Sequence, residues 1–259
     1  MSSAGAKLDI IIPVYNEGAG IVRVLDALRS RVRTPFRVLI CYDFDEDDTL
    51  PAIAGADAGG LAVHLIKNTG RGAHQAIMTG FAESSAPFVL VYPADDDFNA
   101  GIVDQLVSRA EAGADIVCPS RLMKGGRMVG APLVKSAIVR ASNFALHHLA
   151  GLPTHDASNG FRLFTRRVLD TIPIESTEGF TYSIELLVKS QRLGWEIEEV
   201  PASWYERSTG TSRFRVVQWL PAYLRWFLYA FATKYLGRRD VPRRVHLPPT
   251  DPASHLTTP

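Results

Sequence analysis

The sequence predicts an α/β fold: a mixed, mostly parallel sheet flanked by helices, with an amphipathic helical extension at the C-terminal end. Two observations predict it. Short apolar runs alternate with segments of helical period, the signature of successive βαβ units. Polar residues also crowd the positions just after each apolar run, where an open parallel sheet binds its ligand. A chain of 259 residues, 46% hydrophobic, is long enough to bury a full core as one large domain or two small ones.

The first strand is expected over 8–14, where "LDIIIPV" is too short and lacks the cleavage site of a secretion signal. A helix over 20–31 leads to a second strand over 36–42, and the Ala- and Gly-rich stretch after Thr49 holds a shorter helix. Strands over 61–66, 88–92 and 115–119 enclose helices over 72–84 and 101–112. Beyond position 119 the rhythm changes. The Gly-rich "KGGRMVG" precedes a helix over 134–150, "HDASNGFRLF" follows, a helix runs over 182–193, and "WEIEEVPASWY" reads as one broken strand or two.

Net charge is +1, yet 205–244 carries nine Arg or Lys against Glu206 and Asp240, so the remainder of the chain is acidic. The segment 216–236 is long enough to suggest a membrane span, but Gln218, Pro221, Arg225 and Lys234 interrupt it. Read as a helix from Pro221, it puts Leu224, Phe227, Leu228, Phe231 and Tyr235 on one stripe. Flanked by arginines, that stripe suits either an interfacial helix on an anionic leaflet or a helix packed on the domain. A basic patch beside apolar aromatics on an otherwise acidic chain argues against nucleic acid as partner. Two cysteines, Cys41 and Cys118, do not make a disulfide framework; a reducing, cytoplasmic setting is expected. The prolines from Val241 onward, without periodicity, read as a disordered tail.

Acid follows three strands: Glu17 after the first, Asp43, Asp45, Asp47 and Asp48 after the second, and Asp95, Asp96 and Asp97 after the fourth. Arg71 and Arg121 supply the opposite sign. Carboxylates that suit Mg²⁺ or Mn²⁺, with cations nearby, make a pocket for a metal and a phosphate-bearing ligand. Taken singly, each aspartate could equally be a turn former or helix cap. Competing motifs fail: Asp47 spoils an aspartyl-phosphatase reading of "DFDED", Asp48 spoils a calcium loop, and neither dinucleotide nor P-loop glycines occur.

"IIPVYNE", an acidic loop after the second strand, "NTGRGAHQAIMTGF", an acidic strand end, "NGFRLF" and "VPASWYERSTGTSRF" occur in that order. Over about residues 8 to 215 the chain thereby resembles family 2 glycosyltransferases of the GT-A fold, in the branch of dolichol-phosphate mannosyltransferases and polyprenyl-phosphate glycosyltransferases. The resemblance implies a GT-A domain over 1–215; the residue pattern adds an amphipathic helix over 216–240, membrane-interfacial or packed on the domain, and a disordered tail over 241–259. It implies an inverting transfer of a sugar from a nucleotide-diphosphate sugar to a polyprenyl phosphate; with the cysteine usage and the basic aromatic segment, the expected place is the cytoplasmic face of a membrane. Pro13, Tyr15, Glu17, Asp43, Gly72, Ala94, Asp95, Arg207 and Arg213 then hold the donor. Asp95 and Asp97 hold Mg²⁺ or Mn²⁺, and Arg121, Lys135 and Ser136 receive the acceptor phosphate. Asp95, Asp97, Arg121 and Asp156 are the candidate catalytic set. Asp156 is either a base for a hydroxyl acceptor or a tether to Arg162. His155 reads as a surface histidine, and Glu185 as a non-catalytic helix residue with an arginine partner.

This chain departs from the family's usual D-A-D, which stands here as Pro93-Ala94-Asp95, and from its D-D-G-S, which stands as Tyr42-Asp43-Phe44-Asp45. Two other functions stay open: the same fold acting on a hydroxyl acceptor, and a silent nucleotide-sugar-binding module that lacks the first acid.

Overall fold

The computed structural model describes residues 5–56, 60–206 and 216–236, with the side chains of 216–218 left out. Arg207 and Arg213 therefore lie outside the described residues, as do the flanking arginines and the tail.

The first strand, β1 (Leu8–Pro13), is buried on both faces, as a central parallel strand must be. Its residues alternate between two cores: Ile11 faces one side, while Leu8, Ile10 and Ile12 face the other. Helix α1 (Gly20–Arg31) buries Ile21, Val24, Leu25 and Leu28 on the second side, matching its expected bounds. Then come β2 (Phe36–Tyr42), the short α2 (Thr49–Ala54), β3 (Val63–Lys67) and α3 (Gly72–Glu83). Helix α3 lies so close to β1 that a Cβ on Gly80 would come within 2.6 Å of Ile11 Cγ2. Strand β4 (Phe88–Val91) leads through a 3₁₀ turn (Asn99–Ile102) into α4 (Val103–Glu111), and β5 (Ile116–Ser120) follows.

The second half departs further from expectation. A three-residue strand, β6 (Arg127–Val129), follows the Gly-rich loop. The helix expected over 134–150 is α5 (Leu133–Phe144), which continues as a π turn (Ala145–Leu149). "RLFT" forms an unforeseen strand, β7 (Arg162–Thr165), with α6 (Arg166–Thr171) directly after it. Helix α7 (Thr181–Arg192) is buried from Thr181 to Ser190. The broken-strand segment resolves into β8 (Ile197–Pro201) and β9 (Ser203–Tyr205).

Helix α8 (Val216–Tyr235) starts before Pro221 instead of at it. Its inner face buries Trp226, Ala230 and Thr233, while Leu224, Leu228 and Tyr235 of the expected stripe are exposed. Phe227 and Phe231 of that stripe pack instead against the core. Among the described residues no helix is long and apolar enough to cross a membrane.

The seven strands of the main sheet run in the order β3-β2-β1-β4-β7-β5-β8. β7 alone is antiparallel to its neighbours β4 and β5. β6 and β9 pair separately. Both cysteines are buried and free. Glu185 is fully buried, but its partner is Lys189 at 2.6 Å rather than an arginine.

A charge inside β1 needs a partner because both faces of the strand are covered. Asp9 finds Arg37 directly across the ladder, and its carboxylate also accepts the Ser85 and Ala86 N–H groups at 2.7 and 2.8 Å. Burial pushes this carboxyl up, but Arg37 and the two N–H groups outweigh it and hold the pKa below the ordinary value. Asp9→Asn strands Arg37 and is expected to lower unfolding stability by about 3 kcal/mol, read from a urea titration. A depressed carboxyl gives its stabilisation above the unfolded pKa of about 3.9 and loses it as pH falls through the folded value. The parent protein should therefore lose more stability than Asp9→Asn on acidification below about pH 4.

Candidate active site

The carboxyl ends of β1, β2, β3 and β4 come together on one edge of the sheet. Pro13 closes β1 opposite Cys41, and Tyr15 beyond it meets Phe44 edge to face at 5.4 Å. The loop after β1 turns through Asn16 at φ +52°, a left-handed conformation that asparagine tolerates better than most residues. Two residues of the β2–α2 loop and the first residue of α2 hold that turn. Buried Asp47 accepts the Asn16 N–H at 3.0 Å, Thr49 Oγ1 accepts from Glu17 N at 3.0 Å, and Asp48 accepts from Gly18 N at 2.8 Å. Two of the four aspartates after β2 are thus structural. Asp45 pairs with Lys67 on the surface.

Asp43 behaves differently. One carboxylate oxygen accepts Asn68 Nδ2 at 2.7 Å, and the other accepts the Gly72 N–H at the start of α3, also at 2.7 Å. Asn68 is buried directly after β3, and its Oδ1 receives the Gly70 N–H at 3.0 Å and Thr79 Oγ1 at 3.1 Å. The loops after β2 and β3 are locked together around one carboxylate. Sequence reasoning missed Asn68 and Thr79, although Asn68 opens the "NTGRG" stretch.

The three aspartates after β4 have three different roles. Asp96 caps the 3₁₀ turn, accepting the N–H groups of Phe98 and Asn99 and the Asn99 side-chain amide at 2.6 Å. Burial raises the Asp96 pKa, against the pull of those bonds. Asn99 exchanges two further bonds with the Ser203 backbone, tying the acidic loop to β9. Asp97 lies 3.6 Å from Arg23 of α1. Asp95 is exposed, next to buried Ala94 at the strand end.

No three His, Cys, Asp or Glu side chains converge as a metal cage among the described residues. Mg²⁺ in phosphate sites takes one or two carboxylates and completes its shell with phosphate oxygens and water, a requirement that a single exposed Asp95 fits.

On the other side of β4 and β7 stands Arg121, at the end of β5. Its Nε and Nη2 donate to the two oxygens of Asp156 at 2.7 and 2.8 Å, and its backbone N–H adds a third bond at 2.9 Å. Asp156 is fully buried. Burial works to lower the Arg121 pKa, and Asp156 more than offsets it, so the guanidinium is held charged. Arg162, the expected tether, reaches only the Asp156 carbonyl, at 3.0 Å. The carboxylate belongs to Arg121.

Lys135 sits over the Trp204 ring at 4.9 Å, with Glu206 at 3.5 Å. Ser136 receives Arg140 Nε at 3.4 Å. Both lie on the first turn of α5, whose single buried residue, Asn143, exchanges two bonds with Ser158 in the Asp156 loop.

A family model described as "Glycosyl transferase family 2" matches residues 9–172, more than half of the chain, and the chain belongs to that family. It is 25% identical over 232 residues to a polyprenol monophosphomannose synthase of Mycolicibacterium smegmatis, covering 81% of this chain and 85% of the relative. An undecaprenyl-phosphate mannosyltransferase of Micrococcus luteus is 30% identical over 210 residues, covering 78% and 85%. Among solved structures, glucosyl-3-phosphoglycerate synthase of Mycobacterium tuberculosis with Mn²⁺, UDP and phosphoglyceric acid superposes with a TM-score of 0.63. It shares 19% identity over 92% of this chain and 80% of that one. The same enzyme with Mg²⁺ and UDP gives a TM-score of 0.61 at 20% identity, over 89% and 80%. These likenesses establish the GT-A architecture.

Asn68→Ala frees the Asp43 carboxylate and leaves the Gly70 N–H without its acceptor. It is expected to lower stability by about 1–2 kcal/mol and to weaken nucleoside-diphosphate binding, with calorimetry against UDP and GDP as the check.

Proposed function

We propose that this family 2 glycosyltransferase moves a sugar, with inversion, from a nucleotide-diphosphate sugar to a polyprenyl phosphate at a membrane surface. One observation carries the choice of acceptor. Helix α5 is tied to the Asp156 loop by its Asn143 end, yet it turns Leu133 (88% exposed), Val134 (73% exposed), Ile138 and Phe144 outward. Helix α8 is bound to the end of the π turn by Lys234 and Tyr235, which both donate to the Leu149 carbonyl at 2.7 Å. It exposes Leu220, Leu224 and Leu228, and Leu236 just after it is exposed too. Two helices beside the acceptor loop thus present apolar faces to solvent, which is how an interfacial protein meets lipid. The printed functions of the mannosyltransferase relatives support the same acceptor.

The residues divide the work. Pro13, Tyr15, Glu17, Asp43 and Gly72 hold the nucleoside, Asp43 being fixed by Asn68. Asp95 and Asp97 would hold the cation. When bound there, Mg²⁺ or Mn²⁺ supplies the positive charge that a departing nucleoside diphosphate needs. Arg121 receives the acceptor phosphate, with Lys135 and Ser136 on the α5 side. A phosphate monoester, whose second pKa is about 6, is already largely ionised at neutral pH. No general base is then required. That agrees with an Asp156 whose two oxygens are both bonded to Arg121, and which acts through that arginine by orienting it.

Asp95→Ala is expected to cut turnover about 100-fold or more with an unchanged thermal midpoint. The check is transfer of radiolabelled sugar into an organic-extractable product with and without Mn²⁺. Label that stays in the aqueous phase on a soluble acceptor would replace the lipid reading with the hydroxyl-acceptor one. Leu133→Asp combined with Val134→Asp should abolish sedimentation with anionic vesicles and lower lipid turnover, while donor binding, measured by calorimetry, stays at the parent value.

A further inference from the structure

We propose that Glu199 is a positioning residue for the transfer: acting through Thr154 and Asp156, it holds the Arg121 guanidinium where the acceptor phosphate arrives. The inference rests on the assignment of that phosphate to Arg121 and deepens it.

Glu199 lies on β8 opposite Cys118, and its side chain is only 10% exposed. Its neighbour Glu198 turns to Arg109 of α4, 3.1 Å away, so alternation along the strand directs Glu199 to the opposite face, toward the loop before β7. A carboxylate taken out of water is costly unless its oxygens are bonded. Oε1 accepts the Thr154 hydroxyl at 2.7 Å and the His155 N–H, and Oε2 accepts from His155 Nδ1 at 2.7 Å. These three bonds go to the two residues directly before Asp156.

Thr154 gives the contact its direction. A hydroxyl has one proton, and Thr154 donates it to Glu199. Its oxygen then accepts the Asp156 N–H at 3.1 Å. The relay runs from the Asp156 N–H through the Thr154 hydroxyl to Glu199, and each bond polarises the next. A carboxylate accepts more strongly than a neutral oxygen, so the turn is stiffer than backbone bonds alone would make it. The relay fixes the amide side of Asp156, while Arg162 holds its carbonyl at 3.0 Å. Held on both sides, the Asp156 carboxylate keeps its two bonds to Arg121 Nε and Nη2. The His147 ring, stacked on His155 at 4.0 Å, packs against the other end of the clamp.

The test pairs a readout of Arg121 itself with acceptor kinetics. Exchange of the Arg121 Nε–H is followed by NMR on the full chain with isotope-labelled arginine and no acceptor present. Transfer to undecaprenyl phosphate in detergent micelles is followed with a UDP- or GDP-hexose as donor. Thr154→Val keeps the side-chain shape and removes the hydroxyl, and Glu199→Ala removes the root of the relay. Each is expected to speed the exchange several-fold and to raise the acceptor KM about tenfold, with the donor KM unchanged. Thr154→Ser should restore both values, and Glu199→Gln, which keeps an acceptor oxygen, should fall between the parent and Glu199→Ala. Thermal unfolding verifies that each variant is folded. Parent values of exchange and acceptor KM in folded Thr154→Val overturn the proposal. So does an equal rise in acceptor and donor KM, which marks general loosening. Arg121→Lys separates the two claims: an unchanged acceptor KM there removes Arg121 from the acceptor site, whereas a raised one beside an unaffected Thr154→Val removes Glu199 alone.

Discussion

The bidentate pair between Arg121 and Asp156 is the contact on which the β5 side of the candidate site depends. It joins the end of β5 to a loop that has no regular structure of its own, and it does so inside the protein, where an unpaired charge of either sign would be costly. The neighbouring bonds reinforce it: Asn159 reaches the Pro119 carbonyl at 2.9 Å, and Arg162 spans from the Asp156 carbonyl to that of Ser183. A guanidinium fixed in this way is charged and oriented before any ligand arrives, which spares a reaction the cost of arranging it. Helix α5 is fastened to the same loop through Asn143 and Ser158, so its exposed apolar face and the Arg121 guanidinium share one anchor.

The same economy of charge explains the acidic loops. Gathering carboxylates at a sheet edge invites mutual repulsion, and the chain resolves it by giving most of them backbone work. Asp47 and Asp48 hold the turn after β1, and Asp96 caps the entry to α4. Asp43 organises two loops at once. Asp95 is exposed at the β4 end, in a chain that carries Pro93 where the family's first acid usually stands.

Much of this was legible in the sequence. Helix α1 and strand β2 keep their expected bounds because each is a clean periodic or continuous apolar segment. The order of motifs was enough to identify the family. What escaped has physical reasons. β7 is four residues long and β6 three, too short to show a period. Asn68 and Thr79 acquire a role only when the loops after β2 and β3 meet. Sequence could not tell Asp95, Asp96 and Asp97 apart, since nothing local says which carboxylate turns back on its own backbone. Asp156 drew attention for its place in a motif, but its partner lies 35 positions earlier, just past the end of β5. The half-exposed, half-buried character of α8 follows from packing on α7, which periodicity alone left open.

The reversed direction of β7 shapes the cleft itself. Because that strand starts where β4 and β5 stop, with Arg162 opposite Val91, its entry segment is wedged between the tips of the two parallel strands. Neighbouring strands sit about 4.8 Å apart, so those tips are separated by about 10 Å across the wedge. That span is dictated by backbone geometry and is indifferent to side-chain substitution. Evolution could retune which base, sugar or acceptor occupies either bank without altering the distance between them.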